Sequence, residues 1–157
     1  MESKVEKWLE LRSEMIKEGW RDLIDDKINQ CESPIEKLFL IEWYFQNDNF
    51  YYGGDLKDYF IIPQYKIGNY RVDFFICLNN GDMESYKDKE NCLIIELDSY
   101  LWHGSDPEQF TKEKEREREL QKEGWKIIRF SGREIHRNIE KCVDEVIKYY
   151  FENIKEE

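Results

Sequence analysis

The chain has 157 residues, of which 38% are charged and 15% aromatic, and its formal net charge is −11. That length gives room for one domain with a real core, and the aromatic content excludes a disordered tail. The acidity weighs against a protein that coats nucleic acid non-specifically, because phosphate contact is driven by Lys and Arg. It does not exclude a nuclease, whose metal-holding acids add negative charge while a local basic stripe docks the backbone.

No apolar run reaches the length of a membrane span, and Met1-Glu2-Ser3-Lys4 lacks the features of a signal peptide. The expectation is a soluble cytoplasmic protein with no membrane partner. The cysteines at 31, 77, 92 and 142 show no CxxC spacing, and the two histidines, His103 and His136, are far apart. Reduced, mostly buried thiols are therefore expected rather than a disulfide framework or a zinc site.

In chain order, apolar residues recur at close to helical spacing from Val5 to Ile28, and Gly19 interrupts them, which predicts one kinked helix or two short ones. This segment, 1–32, reads as an N-terminal helical extension, and 33–157 as the single globular unit. Ser33-Pro34-Ile35-Glu36 is a helix start, with a Ser cap, Pro at the first position and Glu three residues after the cap. That helix should run to about Gln46, and a loop should follow from Asn47 to Asp58. Strands are predicted at 60–67 and 70–78, joined through Gly68-Asn69 as a two-residue hairpin. After a polar connection at 79–90, a third strand covers 92–98. Pro107 to Glu123 reads as a highly charged helix closed by Gly124. A fourth strand at 126–130 and a last amphipathic helix from Arg133 to about Phe151 complete the order. With no internal repeat, one α/β domain with a mixed sheet is the simplest architecture.

Chemistry concentrates on the second and third strands. Arg71-Val72-Asp73-Phe74-Phe75-Ile76 and Cys92-Leu93-Ile94-Ile95-Glu96-Leu97-Asp98 read as buried, yet carry carboxylates. Buried carboxylates need pairing, hydrogen bonds or a cation. On strict alternation Val72, Phe74 and Ile76 share one face and Arg71, Asp73 and Phe75 the other, while Glu96 and Asp98 lie together. Neighbouring strands would bring three acids together, with Asp73 and Glu96 holding one Mg²⁺ (or Mn²⁺) and the Leu97 carbonyl a further ligand. A metal in such a place activates water and stabilises a leaving phosphate oxygen. His103, five residues after Asp98, is a candidate for proton transfer. Glu36 has two readings that can both hold: a capping glutamate reaching back to the Ser33 amide, and an acid aimed into the site. In the charged helix, Lys114, Arg118 and Lys122 form a basic stripe. It is either a solvated face held by opposite-charge pairs or a phosphate-contacting surface that Lys126 and Arg129 could join.

Together, Ser33-Pro34-Ile35-Glu36, Gln64…Tyr70-Arg71-Val72-Asp73-Phe74, Ile94-Ile95-Glu96-Leu97-Asp98 with His103, and Arg116…Leu120…Gly124-Trp125-Lys126-Ile127-Ile128-Arg129-Phe130 resemble the PD-(D/E)XK nuclease superfamily. Within it they look most like the branch related to very-short-patch-repair endonucleases and small domains similar to them. The resemblance implies a restriction-endonuclease-like αβββαβ core with a mixed four-stranded sheet, flanked by extra N- and C-terminal helices. It also implies a Mg²⁺-dependent endonuclease that hydrolyses DNA phosphodiesters. By resemblance Asp73 and Glu96 are metal ligands, His103 the acid/base residue, Glu36 a supporting acid and Arg116 an inward-looking helix Arg in the DNA-binding set with Lys114, Arg118 and Lys122. The superfamily's usual lysine, two residues after the second acid, is Asp98 here, which shifts weight onto His103. The zinc-binding cysteines of true mismatch-repair enzymes are absent. The segment 1–32 lies outside the resemblance and offers a surface for a homodimer or a protein partner. Two alternatives stay open: the same site acting on RNA, and a catalytically inert nuclease fold serving as a binding or regulatory subunit.

Overall fold

The computed structural model describes residues 10, 24–47, 59–78, 89–98 and 107–153. The expected extension before residue 24, most of the 47–58 loop and the 99–106 segment that carries His103 lie outside the described residues.

Helix α1 (Pro34–Gln46) begins where Ser33 caps it, the Ser33 side chain accepting from the Glu36 N–H with Pro34 in the first turn. Eleven of its residues are buried, so it is the central helix of the molecule rather than a surface one. Strands β1 (Tyr59–Ile67) and β2 (Tyr70–Leu78) form the predicted hairpin. Gly68 takes a φ of 58° at its first turn position, the conformation that makes glycine the favoured residue in tight hairpins. A 3-10 turn (Lys89–Asn91) leads into β3 (Cys92–Asp98).

Helix α2 (Pro107–Lys122) ends in a Schellman arrangement: the Gly124 N–H bonds the Gln121 carbonyl at 3.0 Å and the Trp125 N–H the Leu120 carbonyl at 3.1 Å. Leu120 and Trp125 then pack in one apolar cluster. Strand β4 (Ile127–Ser131) starts one residue later than expected. The last helix is not continuous. It divides into α3 (Gly132–Arg137) and α4 (Ile139–Asn153), because Ser131 and Glu134 form a reciprocal capping box and Asn138 leaves helical geometry, its side chain accepting from the Lys141 N–H.

The sheet order is β1-β2-β3-β4, with the first two pairings antiparallel and β3–β4 parallel. This is the mixed four-stranded α/β sheet that the sequence predicts. One face, with Ile61, Phe74, Ile76, Leu93, Ile95, Leu97 and Phe130, packs against α1, α3 and α4. The other, with Phe75, Cys77, Cys92 and Ile94, is covered by Leu120 of α2 and by Trp125. The four cysteines are free thiols, as expected. Ile24, from residues 24–28, which are helical, belongs to the first cluster, so the end of the N-terminal segment is built into the core. Among the described residues no helix is long and apolar enough to cross a membrane.

Strict alternation fails at one place. Val72 packs with Phe75 and Cys77, not with Phe74 and Ile76. Both strands of the hairpin change facing at the same level, where Gln64 and Asp73 are missing from an otherwise continuous register. Gln64 has a φ of 52°, the only positive value at a non-glycine among the described residues. β1 is an edge strand, which is why it tolerates both this kink and Pro63.

Candidate active site

A cleft of about 700 Å³ opens at the end of the sheet. The C-terminal ends of β1 and β3, the N-terminal end of β2, the start of α1, the middle of α2 and Arg129 of β4 line it. Its wall includes Glu36, Gln64, Asp73, Glu96, Asp98 and Arg116.

Asp73 and Glu96 meet in this cleft as β2 and β3 pair. The antiparallel register Phe74↔Ile95 carries one step further to set the two acids opposite each other. Asp73 accepts from the Leu97 N–H at 2.7 Å, and the two carboxyl groups share a hydrogen bond. Burial pushes both above the ordinary carboxylate range. Glu96 is raised further, because after burial its main influence is the charge of Asp73, whereas the Leu97 N–H holds Asp73 down. The pair therefore holds a proton more tightly than two separate carboxyl groups would. Arg116 offsets part of the charge from α2, its Nη2 3.6 Å from Glu96 Oε1 and its guanidinium 5.9 Å from the centre of the Tyr70 ring.

Glu36 is buried at the first turn of α1 and held by three donors: the Glu32 N–H at 3.3 Å, the Ser33 hydroxyl at 2.7 Å and the Gln64 side-chain amide at 2.6 Å. The expected bond to the Ser33 amide is replaced by one to the amide before it. Both readings of Glu36 thus coexist, since the residue braces the helix start and also lines the cleft.

The expectation of three converging acids is corrected at Asp98. It shares a face with Glu96, but Arg129 of β4 pairs with it and also with Glu117 Oε2 of α2 at 3.2 Å. The Arg129 guanidinium, shared with Glu117, offsets the charge of Asp98, which therefore has less need of a cation than the Asp73–Glu96 pair. Among the described residues no group of three or more His, Cys, Asp or Glu side chains is arranged to hold a metal. His103 lies outside the described residues.

Of the basic residues on α2, Arg116 lines the cleft and Lys114, Arg118 and Lys122 do not. Lys114 pairs with Glu117 at 3.8 Å, one of the spacing-three pairs expected of a solvated face. Gln64 had no assigned role in the sequence analysis, and Arg129, expected there to join the phosphate-contacting stripe, is engaged by Asp98 and Glu117. The motif Gln64…Asp73 is visible in the chain, but the kink that turns Gln64 toward Glu36 is not. Arg129 reaches Asp98 because β3 and β4 are parallel neighbours, with Asp98 level with Ser131.

An acid pair on adjacent strands, at the end of a mixed αβββαβ sheet with a glutamate-bearing helix beside it, defines a restriction-endonuclease-like domain. The family model REase_MTES_1575, a restriction-endonuclease-like family, matches residues 55–149, which is 95 of the 157 residues. The chain belongs to that family, and membership points to a nuclease. The match includes Gln64, Asp73, Glu96 and Arg116, and Glu36 precedes it. No curated protein and no solved structure matches the chain.

Proposed function

We propose that the protein is a metal-dependent endonuclease that hydrolyses DNA phosphodiester bonds, of the branch similar to very-short-patch-repair enzymes. The observation that carries this reading is the largely buried pair Asp73–Glu96, set on adjacent strands and lining an open cleft. Arg116 offsets only part of the charge of these two acids, and burying like charges is unfavourable without further compensation.

The donor set fits a hard dication. Mg²⁺ is commonly held by one or two carboxylates and keeps several waters, so Asp73 and Glu96, with the carbonyl of Leu97 directly after Glu96, would suffice without Asp98. Bound there, Mg²⁺ (or Mn²⁺) would supply charge stabilisation at the phosphate and a more acidic water. The chain's own groups do the rest. The Leu97 N–H fixes the orientation of Asp73, and the three donors on Glu36 hold a further carboxylate in the wall. Arg116 brings a positive charge to the cleft for a phosphate oxygen. Asp98 stands where the superfamily has lysine and is engaged by Arg129, so proton transfer falls to His103 in this reading.

Incubation with plasmid, linear duplex and single-stranded DNA and with RNA, in Mg²⁺ or Mn²⁺ against EDTA, tests the proposal. Cleavage that needs the metal and is lost in Glu96→Gln and Asp73→Asn is expected. Undiminished cutting by either variant, or no cutting of any polymer, overturns it. Cleavage of RNA alone would move the substrate to RNA with the same site.

A further inference from the structure

We propose that the β1–β2 hairpin, through Lys66 and Arg71, docks the phosphate backbone of the nucleic acid that enters the cleft. The inference rests on the nuclease reading above and adds to it the surface that receives the polymer.

Lys66 and Arg71 are register partners in the ladder, next to the pair Ile67–Tyr70 that closes the turn. Directly opposed residues of an antiparallel pair place their Cβ atoms only about 4.5–5.5 Å apart, and like charges there are destabilising. Such a pair persists where something outside the hairpin compensates it. Within the hairpin little does: from Tyr59 to Val72 the chain carries these two cations and no carboxylate, in a protein of net charge −11. The one acid of β2, Asp73, is part-buried and engaged by the Leu97 N–H and Glu96. Glu32 approaches Arg71 at 3.5 Å, but both side chains are about 60% exposed, and ion pairs so exposed contribute little. Among the described residues no ion pair forms at Lys66.

The placement is as telling as the charge. Tyr65, Ile67, Tyr70 and Val72 pack on the α2 side of the sheet, so Lys66 and Arg71 project from the opposite face, beyond the start of α1. Both line the cleft, together with Asn69 of the turn. The switch in facing at Gln64 and Asp73 is what brings them there: it keeps the aromatic residues covered by α2 while turning two cations to the mouth above the acid pair. A polyanion lying along this hairpin would set a phosphate over Asp73 and Glu96. The stripe Lys114–Arg118–Lys122 does not line the cleft, and α2 carries as many carboxylates as cations along Pro107–Lys122.

The test is binding of short fluorescent oligonucleotides, as duplex DNA, single-stranded DNA and RNA, in Ca²⁺ across a salt series. It compares the wild type with Lys66→Gln/Arg71→Gln and with Lys114→Gln/Arg118→Gln/Lys122→Gln. The hairpin variant should weaken binding about tenfold or more at low salt and reduce the slope of log K against log[salt] by about 2 for duplex, slightly less for single strands. Its melting temperature should stay unchanged or rise, since both residues are exposed and repel one another. The helix variant should change the slope less. An unaltered slope in the hairpin variant while the wild type binds, or a larger loss in the helix variant, overturns the hairpin assignment and leaves the nuclease reading intact. Failure of the wild type both to bind and to cut any of the polymers removes the reading on which the assignment rests.

Discussion

At the scale of single residues, Gln64 is the one non-glycine residue held at positive φ among the described residues. A non-glycine residue held in the left-handed region costs of order 1–3 kcal/mol, and here that conformation takes Gln64 out of the β1–β2 ladder and delivers its amide to Glu36. Gln64→Gly removes the amide and the backbone strain together, whereas Gln64→Ala removes the amide and keeps the strain. The glycine variant should melt at or above the wild-type temperature and the alanine variant below it, while both cut more slowly than wild type. Equal cleavage rates in the glycine variant and the wild type would reduce Gln64 to a packing residue. The kink is also the reason a two-residue period misplaces Val72. Periodicity describes a regular strand, and the site begins where regularity ends.

At the scale of elements, the site is built from the N-terminus of α1, the C-terminal ends of β1 and β3, the N-terminal end of β2 and the middle of α2, and α2 has a definite stop. The stop is set by Gly124, whose φ of 99° excludes ordinary side chains. Among the described residues a Cβ at this position would meet only the Lys89 side chain, at an ordinary 3.8 Å, so Gly124→Ala tests the backbone. It should destabilise the protein by roughly 1–2 kcal/mol, read as a lower urea midpoint, with no change in cleavage at temperatures where the variant is folded. A neutral effect would mean that the Schellman closure contributes nothing to the placement of α2. The division of the last helix has a similar local cause, since Ser131, Glu134 and Asn138 are capping residues whose signals a continuous apolar stripe concealed.

At the scale of the whole molecule, the acid pair couples folding to pH and to cations. Asp73 is raised to about 6 and Glu96 to about 9, both chiefly by burial. For raised carboxyl groups the protonated form favours the fold, so their contribution is fully present below about pH 4, the unfolded range, and is lost as pH climbs through about 6 and then about 9. In EDTA the melting temperature should therefore fall between pH 5 and pH 9 (about the window of these shifts), and Glu96→Gln should flatten that fall. Mg²⁺ should restore stability most at the alkaline end, by mass action on the folded state alone. A wild-type profile that is flat in EDTA, or a Mg²⁺ effect as large in Glu96→Gln as in wild type, would show that the pair neither titrates there nor takes the cation.

Much of this protein is decided by local chemistry and so can be read from the chain. The Ser33-Pro34 start of α1, the Gly68-Asn69 turn, the Gly124 stop and the apolar strands carrying Asp73 and Glu96 each follow from residues a few positions apart. The order of these elements then leads to the restriction-endonuclease-like fold. Tertiary structure alone decided which charges meet. Arg129 takes Asp98 out of the acid cluster across 31 positions, Gln64 reaches Glu36 across 28, and Lys66 stands beside Arg71 because the ladder pairs them. Electrostatic partnership depends on distance in space and on burial, and neither is set until the strands have paired.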